Sequence, residues 1–251
     1  GTIKEGDSVL AQVVEGRRWN IARNHSATHL LHQALKEVLG GHVNQAGSLV
    51  EPGRLRFDFS HFSALIPEEI KAVEERVNHQ IWQDLPVEAV ESSLAEARAM
   101  GAMALFGEKY GERVRIVRMG DYSLELCGGT HVLHTGTIGL FKIISEAAVG
   151  AGLRRIEAVT GAGAYQYFNE RLDILQNAAA IIKAPPVEVA RRVEALQQVL
   201  REREKEIGVL QGRLAHYEVE QLLERVQEVQ QVKVLATAVG SGDSESLREM
   251  A

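Results

Sequence analysis

The spacing of hydrophobic and polar positions changes period several times along the chain. The first segment, "TIKEGDSVLAQVVE", alternates around Gly6-Asp7 and predicts two strands and a turn. From Asn24 the period becomes helical. Ala27, Leu30, Leu31, Ala34, Leu35 and Val38 form one apolar stripe, Asn24 stands where an N-cap would, and Gly40-Gly41 ends the run. This predicts a helix of about 15 residues. "GSLVEPGRLRFDFS" reads as strand, Pro-Gly turn and strand, with Leu55, Phe57 and Phe59 on one face. A second helix is predicted from Pro67, a favoured first helical position, to about Asp84. "RVRIVRMG", "SLELCGG", "TIGLFKIISEAAV" and "RRIEAVTG" are strand-like, so the pattern up to about Gly163 predicts an α+β domain.

Beyond Gly163 the pattern is helical. Tyr165, Phe168, Leu172, Leu175, Ala179 and Ile182 recur at spacings of three and four until Pro185-Pro186. A second run, Val189, Val193, Leu196, Leu200, Arg203, Ile207, Leu210, Leu214 and Tyr217, keeps the heptad with one polar break, which predicts a coiled-coil seam. A helix from Pro186 to about Val229 would be roughly 65 Å long, against about 27 Å for the one before it. A helical hairpin of the two leaves the outer seam uncovered, so a homodimer through the coiled coil is expected. "VKVLATAVGSG" starts a further strand.

Composition narrows the setting. No apolar run approaches the ~20 residues of a membrane span, and the opening residues lack the organisation of a signal peptide. The expectation is a cytoplasmic protein with no membrane partner. A single cysteine cannot staple the fold and suits a reducing compartment. The formal net charge of -6 argues against non-specific nucleic-acid binding; no DNA partner is expected, and RNA remains open through particular residues.

That cysteine stands in "ELCGGTHV". Cys127 alone reads as an inert buried thiol, but His131 follows four positions later, and Gly128-Gly129 lets the backbone bring the two side chains together. "NHSATHLLH" supplies His25 and His29 at i and i+4, one turn apart on one helix face. His32, three further on, suits an exposed or capping role. The four candidates match a tetrahedral zinc site, one ion per chain. A metalloprotease helix is excluded, because "SAT" stands where the Glu of H-E-x-x-H would be.

The blocks "NHSATHLLHQAL", "HVNQAGSLV", "RLRFDFSH", "GAMALFGEKYG", "ELCGGTH", "GLFKIISE" and "GLRRIEAVTG" arrive in an order that resembles the editing domain of the alanyl-tRNA synthetase family, from about Val9 to Val232. The resemblance implies four parts: the last strands of a preceding β-barrel at 1–20, an editing (deacylase) domain at 21–163, a helical hairpin or coiled coil at 164–230, and the truncated start of a C-terminal domain at 231–251. It implies a fragment without the aminoacylation domain.

The activity it implies is hydrolysis of seryl-tRNA and glycyl-tRNA made on tRNA(Ala), with the acceptor end of that tRNA as partner. Such errors arise because a methyl or hydroxyl difference supports only about 1–3 kcal/mol of discrimination. By resemblance Gln45 is the candidate reader of the serine hydroxyl, and Thr28 is a weaker one. Arg154 and then Arg56 are the candidates for phosphate and ribose contacts, with Arg155 turned to the other strand face. Backbone N–H groups at Gly128 and Gly129 are candidate oxyanion donors.

Zinc could activate water and polarise the ester, yet four protein ligands would close its coordination sphere. Either one ligand is labile, or the metal orients substrate while the neighbouring ribose hydroxyl activates water. Three rival readings stand beside this one. They are the threonyl-tRNA synthetase editing domain, disfavoured because a coiled coil follows; a free-standing aminoacyl-tRNA deacylase; and a non-catalytic, zinc-stabilised tRNA-binding or dimerisation module.

Overall fold

Helix α1 (Glu15–Leu39) is the first regular element of the computed structural model, which describes residues 2–103 and 111–236. The helix ends as the glycines predict, with Gly40 at φ 117° donating its N–H to Lys36 O. Its start differs. "EGRRWNIARN" contains no helix breaker after Gly16, and the helix runs back through it, so Asn24 is buried in mid-helix instead of capping it. Its Nδ2 donates to Glu51 O at 2.7 Å and its Oδ1 accepts from Thr160 Oγ1 at 2.7 Å, tying α1 to two strand ends. Residues 2–14 carry a turn at Glu5-Gly6 and no strand. They are all exposed, and with no partner strand beside it the alternating pattern has nothing to pair with, so the barrel strands expected at 1–20 are absent from the described residues.

The elements that follow are β1 (Gln45–Val50), β2 (Leu55–Ser60), α2 (Pro67–Trp82), β3 (Val87–Ser93), α3 (Leu94–Ala99), β4 (Arg113–Met119), β5 (Ser123–Leu126), β6 (Phe141–Gly150) and β7 (Leu153–Thr160). One antiparallel sheet has the order β1-β2-β7-β6 and a second the order β3-β4-β5. Leu55, Phe57 and Phe59 face the core together, as their period of two predicts, and meet Leu30, Leu31 and Leu35 of α1. Asn78 of α2 exchanges two 2.9 Å hydrogen bonds with the backbone of Phe141, fixing where β6 begins. Strand β3, "VEAVESS", is too polar to announce itself; its pairing with β4 from Val87↔Met119 to Ser93↔Arg113 makes it a strand. The block "GAMALFGEKYG" lies mostly outside the described residues.

This first unit covers Gly1–Arg171, and a second covers Leu172–Ala251. Helix α4 (Gly161–Ile181) runs across the boundary. The second unit then holds a short 3-10 turn (Pro186–Glu188), α5 (Val189–Leu223), β8 (Gln227–Val229) and β9 (Val232–Val234). Here α5 ends at Leu223, short of the expected Val229, and Gln227–Val229 instead pair with Val232–Val234 across a turn at Gln230 and Gln231, both at positive φ (52° and 71°). The hydrophobic α5 seam residues from Val193 to Tyr217 are 38–59% exposed. No helix among the described residues is long and apolar enough to cross a membrane.

Candidate metal centre

Three elements build the centre. α1 presents His25 and His29 one turn apart, β5 ends in Glu125 and Leu126, and the loop after it carries Cys127 to His131 back to the helix. One ligand atom from each of His25, His29, Cys127 and His131 lies within 4.8 Å of the others. Cys127 Sγ is 3.3 Å from His25 Nε2 and 3.3 Å from His131 Nε2. His29 Nε2 is buried and has no hydrogen-bond partner. A buried, unpaired ring nitrogen beside a thiolate and two further imidazoles is the environment a soft or borderline divalent metal fills, so the group could hold a metal ion.

Outer partners hold three of these ligands. His29 Nδ1 lies 2.6 Å from Glu125 Oε2, and Glu125 Oε1 lies 3.1 Å from His32 Nδ1. Ser26 Oγ lies 3.2 Å from His131 Nδ1 and accepts the Val132 N–H at 3.1 Å. The Gly129 N–H donates to Cys127 Sγ at 3.4 Å. Arg115 of β4 donates to the carbonyls of Cys127 (3.0 Å) and Gly129 (2.7 Å), clamping the loop from outside. Gly129 also has to be glycine: a Cβ there would sit 2.0 Å from His25 Cε1.

The charges follow from this packing. Burial alone would raise the Cys127 thiol, yet hydrogen bonds from His131 and His25 and the nearby His29 bring it down to about 3. Burial alone would lower His29; the charge of Glu125 and the polar attraction of Cys127 and Glu125 raise it to about 10. Glu125, which burial would raise, is drawn down to about 2 by the charge and hydrogen bond of His29 and by His32. His131 falls to about 4, chiefly through burial, with repulsion from His29 and His25 adding to it. Without metal the centre is therefore a half-buried thiolate and a buried carboxylate around a protonated His29.

Comparison with known proteins gives the chain its relatives. Residues 114–157, which contain Cys127 and His131, match the family described as "Threonyl and Alanyl tRNA synthetase second additional domain". Over 100% of its length the chain is 61% identical to the alanine–tRNA ligase of Pelotomaculum thermopropionicum and 57% identical to that of Geobacillus kaustophilus. The chain corresponds to a segment of the alanyl-tRNA synthetases. It spans 28% of the length of each of these two relatives. A third, from Bacillus velezensis, is 53% identical over the whole chain and is likewise covered over 28% of its length.

The remaining candidate residues divide. Thr28 is buried on α1 between the two histidines, its hydroxyl donating to Asn24 O at 2.9 Å. Gln45 pairs across β2 at Phe59, and Phe59 pairs with Arg154, so Gln45 and Arg154 share one cross-strand row on the core face. Gln45 Nε2 donates to Ser48 Oγ at 3.1 Å. Arg154 is held by Glu146 in two bonds of 2.5 and 2.8 Å. Arg56 and Arg155 point to the opposite face, where both lie against Asp58. Two expectations are corrected. His32 is buried against Glu125 and Phe57 instead of exposed, and the Gly129 N–H is committed to the Cys127 sulfur. Glu125 and Ser26, whose partners lie 93 to 105 residues away, and Arg115, which grips backbone carbonyls, carry no local sequence signal and were not among the candidates.

Proposed function

We propose that the first unit hydrolyses the ester of seryl-tRNA and glycyl-tRNA formed on tRNA(Ala), at a zinc ion held by His25, His29, Cys127 and His131, as the editing part of an alanyl-tRNA synthetase. The observation that carries this reading is the convergence of those four ligands within 4.8 Å, in a chain that aligns along its whole length with alanine–tRNA ligases. Three nitrogens and one thiolate form a zinc set more readily than a magnesium or calcium set, whose ligands are oxygens. Zinc, when bound, supplies Lewis-acid polarisation of an ester carbonyl.

The chain's own residues do the rest. Glu125 fixes the His29 ring and Ser26 fixes His131, so neither imidazole is free to rotate away. His25 makes no hydrogen bond through its other ring nitrogen among the described residues and is the least anchored ligand. Gln45, at the start of β1, offers an amide donor and acceptor to a serine hydroxyl, which supports selection of serine over alanine. Arg154 and Arg56 lie in ion pairs, and the reading rests on neither. Hydrolysis of seryl-tRNA and alanyl-tRNA by the full chain and by Gln45→Ala tests the assignment. The expected result is a changed ratio of the two rates at similar tRNA affinity; an unchanged ratio would remove Gln45 from the reading.

Four protein ligands complete a tetrahedral shell, and this favours a second reading, a metal-stabilised module that binds tRNA without hydrolysing it. A zinc-loaded chain that binds tRNA(Ala) but leaves the seryl ester intact would establish that reading instead.

A further inference from the structure

Arg154 is bonded twice to Glu146, and Arg56, 3.7 Å from Asp58, lies on the opposite sheet face, so the RNA phosphates call for further partners. Most arginines of the first unit are similarly engaged: Arg54, Arg113 and Arg118 lie against Glu157, Glu91 and Asp121, and Arg23 and Arg115 donate to backbone carbonyls. Arg17 and Arg18 are different. Among the described residues neither makes a side-chain hydrogen bond or ion pair, and they are adjacent on the first turns of α1. Both line a cavity of about 340 Å³ whose other walls are Val13, Val14, Ile21 and Thr130. Thr130 stands between Gly129 and His131 in the metal-binding loop, so the cavity opens beside the centre. Glu15, the nearest carboxylate in sequence, lines a separate cavity with Gln12, Val13 and Val14.

The helix sets the direction. Arg18, Ile21 and His25 are related by i, i+3 and i+7 and lie on one face of α1, with Arg18 about 10 Å from His25 along the axis. We infer that this cavity binds phosphate groups of the single-stranded 3′ end of the tRNA, Arg17 and Arg18 supplying the charge. The inference rests on the proposed function for the identity of the RNA. A phosphodiester meets two guanidinium groups with no competing carboxylate among the lining residues, and Val13, Val14 and Ile21 give an apolar wall for the sugar. These contacts orient the strand and leave the reading of the amino acid to the neighbouring centre. They also let an acidic protein hold RNA by one local basic site.

The test uses the full chain and two RNA hairpins bearing the acceptor stem, one with its single-stranded 3′ end and one trimmed to the duplex. Affinities are measured by fluorescence anisotropy at several salt concentrations for the wild type, Arg17→Ala/Arg18→Ala and Arg17→Lys/Arg18→Lys. Trimming should weaken wild-type binding at least about tenfold, and the double alanine variant should bind both hairpins as weakly as the wild type binds the trimmed one. Its salt slope should fall by about 0.7 for each arginine, and the lysine variant should recover most of the loss. Equal affinity of wild type and alanine variant for the intact hairpin would overturn the inference, as would penalties of trimming and substitution that simply add. A parallel hydrolysis assay keeps the two readings apart: a wild type that binds as expected yet leaves seryl-tRNA intact contradicts the proposed function, not the phosphate site.

Discussion

Gly128 and Gly129 are equivalent as letters and unlike as positions. A Cβ on Gly128 meets nothing within 4 Å, whereas one on Gly129 would strike the His25 ring. Gly129→Ala should therefore lose most bound zinc while Gly128→Ala keeps it, measured as metal per chain after dialysis; equal retention would contradict the packing. Behind the ligands, Glu125→Gln removes the charge that holds His29 and should cost about 10- to 100-fold in zinc affinity by competition titration. An unchanged affinity would show that Glu125 plays no part. Protons report on the same groups. In the metal-free chain, Cys127 (unfolded near 9, folded about 3), His131 (6.5 to about 4) and Glu125 (4.5 to about 2) are lowered, so the unfolded chain binds more protons and stability rises with pH from about 2 towards 6.5. His29 is raised from 6.5 to about 10, and its contribution is lost as pH climbs through that window. Between 6.5 and 9 the opposing slopes of Cys127 and His29 cancel, and above 9 stability falls. Urea unfolding of the metal-free chain across this range checks the profile; a monotonic rise to pH 10 would contradict it. The ligand pairs were legible because i, i+4 and Cys-x-x-x-His are local spacings. Glu125 was not, since its partners lie 96 and 93 residues away.

Helix α1 shows what a periodic pattern can and cannot fix. The stripe and Gly40 locate its last turns, but the helix continues through "EGRRWNIARN", whose polar side chains carry no periodic signal and are held by the helix they extend. Asn24 separates the two descriptions. An exposed N-cap replaced by Ala costs about 1 kcal/mol, whereas a buried Asn bridging Glu51 and Thr160 leaves two partners unsatisfied and should cost roughly 2–4 kcal/mol in Asn24→Ala. Urea denaturation of the zinc-loaded chain measures it, and a loss below about 1 kcal/mol would restore the capping role. The strands around Pro52-Gly53 and the start of α2 at Pro67 were legible from turn and helix-start chemistry. β3 was not, because a polar strand is defined by its partner β4. The hairpin after α5 was hidden for a related reason: its turn uses Gln230 and Gln231 at positive φ, where a glycine or asparagine would have marked it.

The two units differ in what they carry. The metal centre and the phosphate cavity lie within Gly1–Arg171, while the exposed α5 seam lies within Leu172–Ala251. Leu, Ile and Val side chains left in water are unfavourable by roughly 25 cal/mol per Å², so the seam should pair with a second copy of the chain. Deleting everything after Pro185 should abolish self-association and leave zinc binding intact; sedimentation equilibrium and metal content check both, and a monomeric full-length chain at tens of micromolar would refute the pairing. For the first unit the direct measurement is release of serine from seryl-tRNA(Ala) by the full chain as isolated, after verified zinc removal, and after zinc is restored, with alanyl-tRNA(Ala) alongside. Hydrolysis should vanish without zinc, return with it and favour the seryl ester; undiminished hydrolysis by the zinc-free chain, or none by the zinc-loaded one, would rule out zinc-dependent editing by this unit.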